Sequence, residues 1–128
     1  MSAAAATAVR RYKQVQVKTS SPGELLTMLF DGLLKFLEEA RSAMESGDRP
    51  RACERINRSH AIISELFSTL DPRHAPELCE NLVGLYTFCL GHLLEANIEQ
   101  NPTKIADVAR ILSPLAEAFR TAAREAVK

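Results

Sequence analysis

The chain has 128 residues, with 16 basic side chains balanced by 16 acidic ones. That length suits one domain able to bury roughly two-thirds of its unfolded surface without staples. The balanced charge argues against a dedicated nucleic-acid binder, which carries a basic excess. No stretch reaches the roughly 18 unbroken apolar residues of a membrane span, so no membrane insertion is expected.

Residues 1–20 differ from the rest. An Ala-rich run from Ser2 to Val9 is followed by Arg10, Arg11, Lys13 and Lys18, and the first acid of the chain is Glu24. Because the basic residues follow the Ala run, the order is not that of a signal peptide. The expected location is the cytoplasm. Val9, Tyr12, Val15 and Val17 are isolated apolar residues without helical periodicity, so this segment reads as a flexible N-terminal arm, mobile or docked. A solvated tail is the commoner fate of such a basic arm than contact with nucleic acid or lipid. Cys53, Cys79 and Cys89 are an odd number with no C-x-x-C pair, and they read as buried free thiols in a reducing compartment.

Residues 21–128 read as four helices. Ser21, Pro22 and Glu24 have the order of an N-cap, N1 and N3, in which the hydroxyl and the carboxylate satisfy free amides reciprocally. This first helix runs over about 22–46 and is stopped by Gly47. Asp48 caps a second helix over 49–70, with Pro50 tolerated in its first turn. Its seam is Ala52, Ile56, Ser59, Ile63, Leu66 and Leu70, at alternating steps of four and three. DPRHAP, residues 71–76, breaks the chain before a third helix over 76–100. Asn101 and Pro102 then open a fourth helix over 102–126. Its stripe runs from Ile105 through Leu112 to Ala126, and Pro114 sits mid-helix on the opposite side, where it should kink the helix with the Arg110 carbonyl facing water. Four such helices joined by short connections predict an all-α antiparallel four-helix bundle.

Two helices carry more apolar surface than one seam needs. At about 100° per residue, helix one is apolar over roughly 200° of its circumference. Leu26, Leu29, Leu33, Leu37 and Ala40 centre it, Phe30 and Leu34 extend one flank, and Met28 lies beyond the other. Helix three has an expected core seam of Leu78, Leu82, Leu85, Tyr86, Cys89, Leu93 and Ala96. A second ridge of Val83, Leu90 and Leu94 stands beside it, with Thr87 and Ile98 further on and Gly84 and Gly91 further round. Bundle helices often bury wide stripes because each touches two neighbours. The alternative is that Phe30 and Leu34, or Val83, Gly84, Thr87, Leu90, Gly91 and Leu94, edge a groove for an apolar partner helix. The arm is a candidate occupant of that groove when no partner is bound.

Little in the sequence suggests catalysis or a cofactor. There is no Glu-x-x-His of a di-iron bundle, no P-loop, no G-x-G-x-x-G and no G-x-S-x-G. Cys89 and His92 lie three apart on one helical side, but no further ligand has motif spacing. A core thiol beside a partly buried imidazole is the simpler account, and His60 reads as a hydrogen-bonded residue at the core edge.

Tyr12, Ser21-Pro22, Leu25 and the run Met28-Leu29-Phe30-Asp31-Gly32 resemble the flagellin-specific export chaperones of the FliS type. Asn81-Leu82, Leu85-Tyr86 and Leu93-Leu94-x-Ala96-Asn97 match the third-helix pattern of that family, and the likeness spans about residues 12–126. The resemblance implies a helical bundle that is not an enzyme. Such chaperones bind the C-terminal segment of flagellin in the cytoplasm, prevent premature polymerisation, and aid delivery to the flagellar type III export gate. The client wraps around the bundle, and the N-terminal arm covers part of the apolar surface in its absence. Carried over, Val9 and Tyr12 are arm residues, and the helix-one and helix-three flanks are candidates to face the client, with the family motif not fixing which.

Two positions depart from the family pattern. Gly91-His92 stands where a basic pair is frequent, and Asn101 where Asp is frequent; Asn caps equally well. Two other readings stay open: a helical adaptor for a different secreted or regulatory client, and a small metal or redox bundle using Cys89 and His92. As for assembly, a monomer or weak homodimer is expected.

Overall fold

The helices start and stop where local chemistry dictates. The computed structural model describes residues 22–126, which form four α-helices and no strand. These are α1 (Pro22–Glu45), α2 (Arg49–Ser68), α3 (Pro76–Glu99) and α4 (Pro102–Ala126), each ending within two residues of its predicted bounds. Val9, Tyr12 and the capping hydroxyl of Ser21 lie outside the described residues.

At the end of α1, Gly47 takes φ +78°, its N–H donates to Met44 O, and the Asp48 N–H donates to Ala43 O. This pair of reversed bonds satisfies carbonyls that the helix leaves free. Asp48 then caps α2, its carboxylate accepting from the Arg51 N–H at 3.1 Å. Asn101 does the same for α4, accepting from the Thr103 N–H at 3.0 Å. Between α3 and α4 the left-handed position is filled by Gln100 rather than glycine. Its side-chain amide donates to Asn97 O at 2.8 Å, a local bond that helps hold the turn. Pro114 lies on the exposed side of α4, and the helix continues through it.

The helices form a closed ring, each packed on its sequence neighbours and α4 returning to α1. Cross-contacts fix the directions. Gly32 faces Ile62 while the later Glu39 pairs with the earlier Arg55, so α1 and α2 are antiparallel. Likewise His92 meets Asp107 while Glu95 meets Lys104, so α3 and α4 are antiparallel. On α2 the seam from Ala52 to Leu66 is buried, and Leu70 is half-buried at its end. Ser59, fully buried within it, donates its hydroxyl to Arg55 O at 3.0 Å.

The four helices are not equally embraced. α1 meets α2 and α4 along much more of its surface than α3 meets α2 and α4. Most of the apolar stripe of α1 is taken up this way, which corrects the expectation that Phe30 edges a groove. Phe30 is 0% exposed and stacks on Phe119 of α4 at 5.4 Å between ring centroids. Leu34 is half-buried against the core. Phe30 therefore edges no open groove, whereas Leu34 keeps part of its surface at the margin of the core.

Two further expectations are corrected. Leu78, read as the first core residue of α3, is 53% exposed, and Cys79 takes the buried place. In this first turn the helix lies against the 71–75 connector, and the Cys79 thiol donates to Asp71 O and His74 O. Cys53 is half-buried rather than buried, with the Asn97 amide donating to its sulfur at 3.6 Å across the α2–α3 contact. Cys79 and Cys89 are buried and free.

Candidate protein-binding surface

α3 carries two seams in parallel. The inner one, Cys79, Leu82, Tyr86, Cys89, Leu93 and Ala96, steps by three and four and is buried in the bundle. The outer one, Val83, Thr87, Leu90 and Leu94, steps by four, three and four. Val83, Thr87 and Leu94 are exposed, and Leu90 is half-buried at the margin. Ile98 continues this line at 71% exposure, and Leu94 stands at 59%. Every large hydrophobic side chain exposed among the described residues belongs to α3. Scattered single exposures are ordinary; a run on one helix face is not.

Gly84 and Gly91 lie on the same outward face. A Cβ built at either would meet no atom within 4 Å. Packing inside the chain therefore does not require glycine there, although each costs about 1 kcal/mol of helix stability relative to alanine. Gly32 differs, since its Cβ would sit 3.7 Å from Ile62 Cδ1. Six of the eight residues expected to edge a groove thus fall together on or beside one face of α3, and Phe30 and Leu34 fall elsewhere.

The α4-side margin of this face is polar and aromatic. The Phe88 ring, half exposed, stacks on His92 at 5.0 Å. His92 Nε2 lies 3.2 Å from Asp107 Oδ2 on α4. The His92 ring and the Arg110 guanidinium hold the Asp107 carboxyl below its usual range. At Gly91-His92 this chain thus presents one open glycine and one imidazole engaged with α4. Phe88 escaped the sequence reading because its angle on the helix separates it from the Val83–Leu94 ridge; only the bare fact of an aromatic off the core seam signalled it.

Chemistry of other kinds has little footing. Burial pushes the Cys89 thiol up to about 11, so it is held neutral and unreactive. His60 is half-buried, with its Nδ1 at 3.5 Å from Ser64 Oγ. Among the described residues no three His, Cys, Asp or Glu side chains are grouped to hold a metal ion. No helix among them is long and apolar enough to cross a membrane. A separate cleft of about 470 Å³ opens where the start of α1 meets the end of α4, lined by Thr27, Met28 and Ala123 between the charged Glu24, Arg120 and Arg124.

Comparison with known proteins fits this architecture. Residues 5–126 match the family model described as "Flagellar protein FliS". The "Flagellar secretion chaperone FliS" of Campylobacter jejuni is 35% identical over 113 residues, covering 88% of each chain. The protein of that name from Salmonella typhimurium is 34% identical over 120 residues, 90% of this chain and 89% of its own. The one from Bacillus subtilis is 33% identical over 111 residues, 87% and 82% respectively. On this evidence the chain belongs to the FliS family of flagellar proteins.

Proposed function

We propose that this protein is a cytoplasmic export chaperone that binds the C-terminal segment of flagellin. Binding prevents premature polymerisation and aids delivery to the flagellar type III export apparatus. The relatives' name, flagellar secretion chaperone, supports the chaperone role. The single observation that carries the reading to a surface is the outward face of α3, apolar from Val83 to Ile98 and left uncovered by the described residues. A bundle that needed only its own core would not expose such a run.

The mechanism is substitution. A segment that buries its apolar side against neighbouring subunits in a filament would be sticky when free. The α3 face offers it an equivalent surface within a soluble complex. Ordering the client offsets much of the gross interface energy, which keeps the complex reversible for export.

Calorimetric titration of the full chain with the flagellin C-terminal segment tests this. Saturable one-to-one binding is expected, weakened at least about tenfold by Leu94→Asp. Because Leu94 is exposed, that variant should keep its helicity and melting temperature. Absence of binding by the unmodified chain would refute the function.

A further inference from the structure

We infer that the first half of α3, residues 76–91, opens from the bundle as a local unit hinged at Gly91. The second half of α3 and the other three helices stay packed. This device lies in the chain's own packing and does not depend on what occupies the outer face.

The entry to α3 is built unlike those of its neighbours. Asp48 and Asn101 cap α2 and α4 through side-chain bonds, whereas Ala75, at the N-cap of α3, has no side-chain acceptor to offer. Ala75 also takes φ +51°, a left-handed conformation in which a β-carbon crowds the backbone. In the turn between α1 and α2 the left-handed position belongs to Gly47, which has no β-carbon. The Cys79 thiol, a weak donor, ties the first turn of α3 to Asp71 O and His74 O.

The interior of α3 divides at Gly91. Gly84 weakens the first half and Gly91 bounds it, and a Cβ built at either would meet no atom within 4 Å, so packing does not offset their low helix propensity. The second half is tied by polar bonds. His92 Nε2 lies 3.2 Å from Asp107, Glu95 and Glu99 each accept from Lys104 at 2.8 Å, and the Asn97 amide donates to the Cys53 sulfur at 3.6 Å. The first half instead sets Leu82, Tyr86 and Cys89 into the core. α3 meets its neighbours along much less of its surface than α1 does, and α1 packs on both α2 and α4. Those three helices therefore remain joined when the first half of α3 leaves. A segment with sparse packing and weak ends opens at lower free energy than the whole fold. Its opening brings Leu82, Tyr86 and Cys89 to solvent.

Hydrogen exchange of the full chain, followed by NMR in urea below the unfolding transition, tests this. Amides from Leu82 to Cys89 should exchange at least about tenfold faster than those of Leu33, Leu37 and Ala40 in α1 and of Leu93 and Ala96 in the second half of α3. Their urea dependence should be shallower, since local opening exposes less surface than global unfolding. Alkylation of Cys89 should show the same shallow dependence. Gly84→Ala should slow the Leu82–Cys89 amides about fivefold, the factor set by the helix penalty of glycine. Ala75→Gly should slow them too, by relieving the left-handed position. Gly32→Ala is the control. A Cβ there makes ordinary contact with Ile62 at 3.7 Å, so the variant should fold. Because α1 stays helical in the open state, this change should slow exchange in α1 and leave the first half of α3 as it was. One common rate and urea slope across α1 and α3 would overturn the inference. So would equal slowing of the Leu82–Cys89 amides by Gly32→Ala and Gly84→Ala, or joint opening of the two halves of α3.

Discussion

Phe30→Ala separates the two roles that its neighbourhood allows. The side chain is 0% exposed and its ring stacks on Phe119 in the α1–α4 contact. Truncating a buried phenylalanine costs about 3–5 kcal/mol, because the lost transfer energy is joined by a cavity that the helices close only partly. The lost ring pair is part of that figure, worth about 0.5–1.5 kcal/mol. A domain of this size is stable by about 5–15 kcal/mol in total. The variant should therefore fold but melt about 9–25 °C lower, at about 3–5 °C per kcal/mol for 128 residues. Urea denaturation followed by circular dichroism measures the free energy directly, and a titration with the flagellin segment measures binding. Per folded molecule, binding should stay within about threefold, since the α3 face lies on a different helix. A loss of stability under about 1.5 kcal/mol, together with abolished binding, would refute this placement and return Phe30 to the client surface.

Two more outcomes follow from single sites. In native protein at pH 8, Cys53 should react first with a thiol reagent and Cys89 last. Cys53 is half-buried, whereas the Cys89 thiol is buried and raised to about 11; peptide mapping of timed alkylation reads the order, and early labelling at Cys89 would contradict its burial. Asp107 makes stability depend on acid. Its carboxyl titrates lower in the folded chain than its usual 3.8 because His92 and Arg110 hold it ionised. A depressed folded value contributes stability above the unfolded value, and that contribution is lost as pH falls through the folded one. Asp107→Asn should therefore destabilise the chain at pH 7 and make little difference near pH 2, as read by urea melts at both; an equal loss at both would show that the ion pairs are not the cause.

Much of the fold is legible because its signals are local. Gly47, Asp48 and Asn101 announce helix ends through bonds spanning only a few residues, and those bonds form where the sequence places them. The seam of α2 is legible for the same reason, since an interval of three or four residues fixes a direction around the axis. Leu78 shows the limit. Its angle on α3 points to the core, but no angle says how far the neighbouring elements reach, and in the first turn Cys79 meets the connector instead. The His92–Asp107 contact, spanning fifteen residues, lies beyond any periodic pattern.

The proposed binding face was only half legible, and the reason lies in how a ring of four helices shares its contacts. α1 and α3 present similar widths of apolar surface in the sequence. What differs is how closely their neighbours approach, which depends on the packing of the whole ring. Around α1 the neighbours close in, so Phe30 becomes core and Leu34 is half-buried against it. Around α3 they do not, and the second seam remains outside. Glycine follows the same division. A Cβ at Gly32 in α1 would make ordinary van der Waals contact with Ile62 at 3.7 Å. A Cβ at Gly84 or Gly91 in α3 would meet nothing within 4 Å among the described residues. Only at α3 do the described residues leave the space beside such glycines open, and this asymmetry, more than apolar width, is what supports the proposed partner face there.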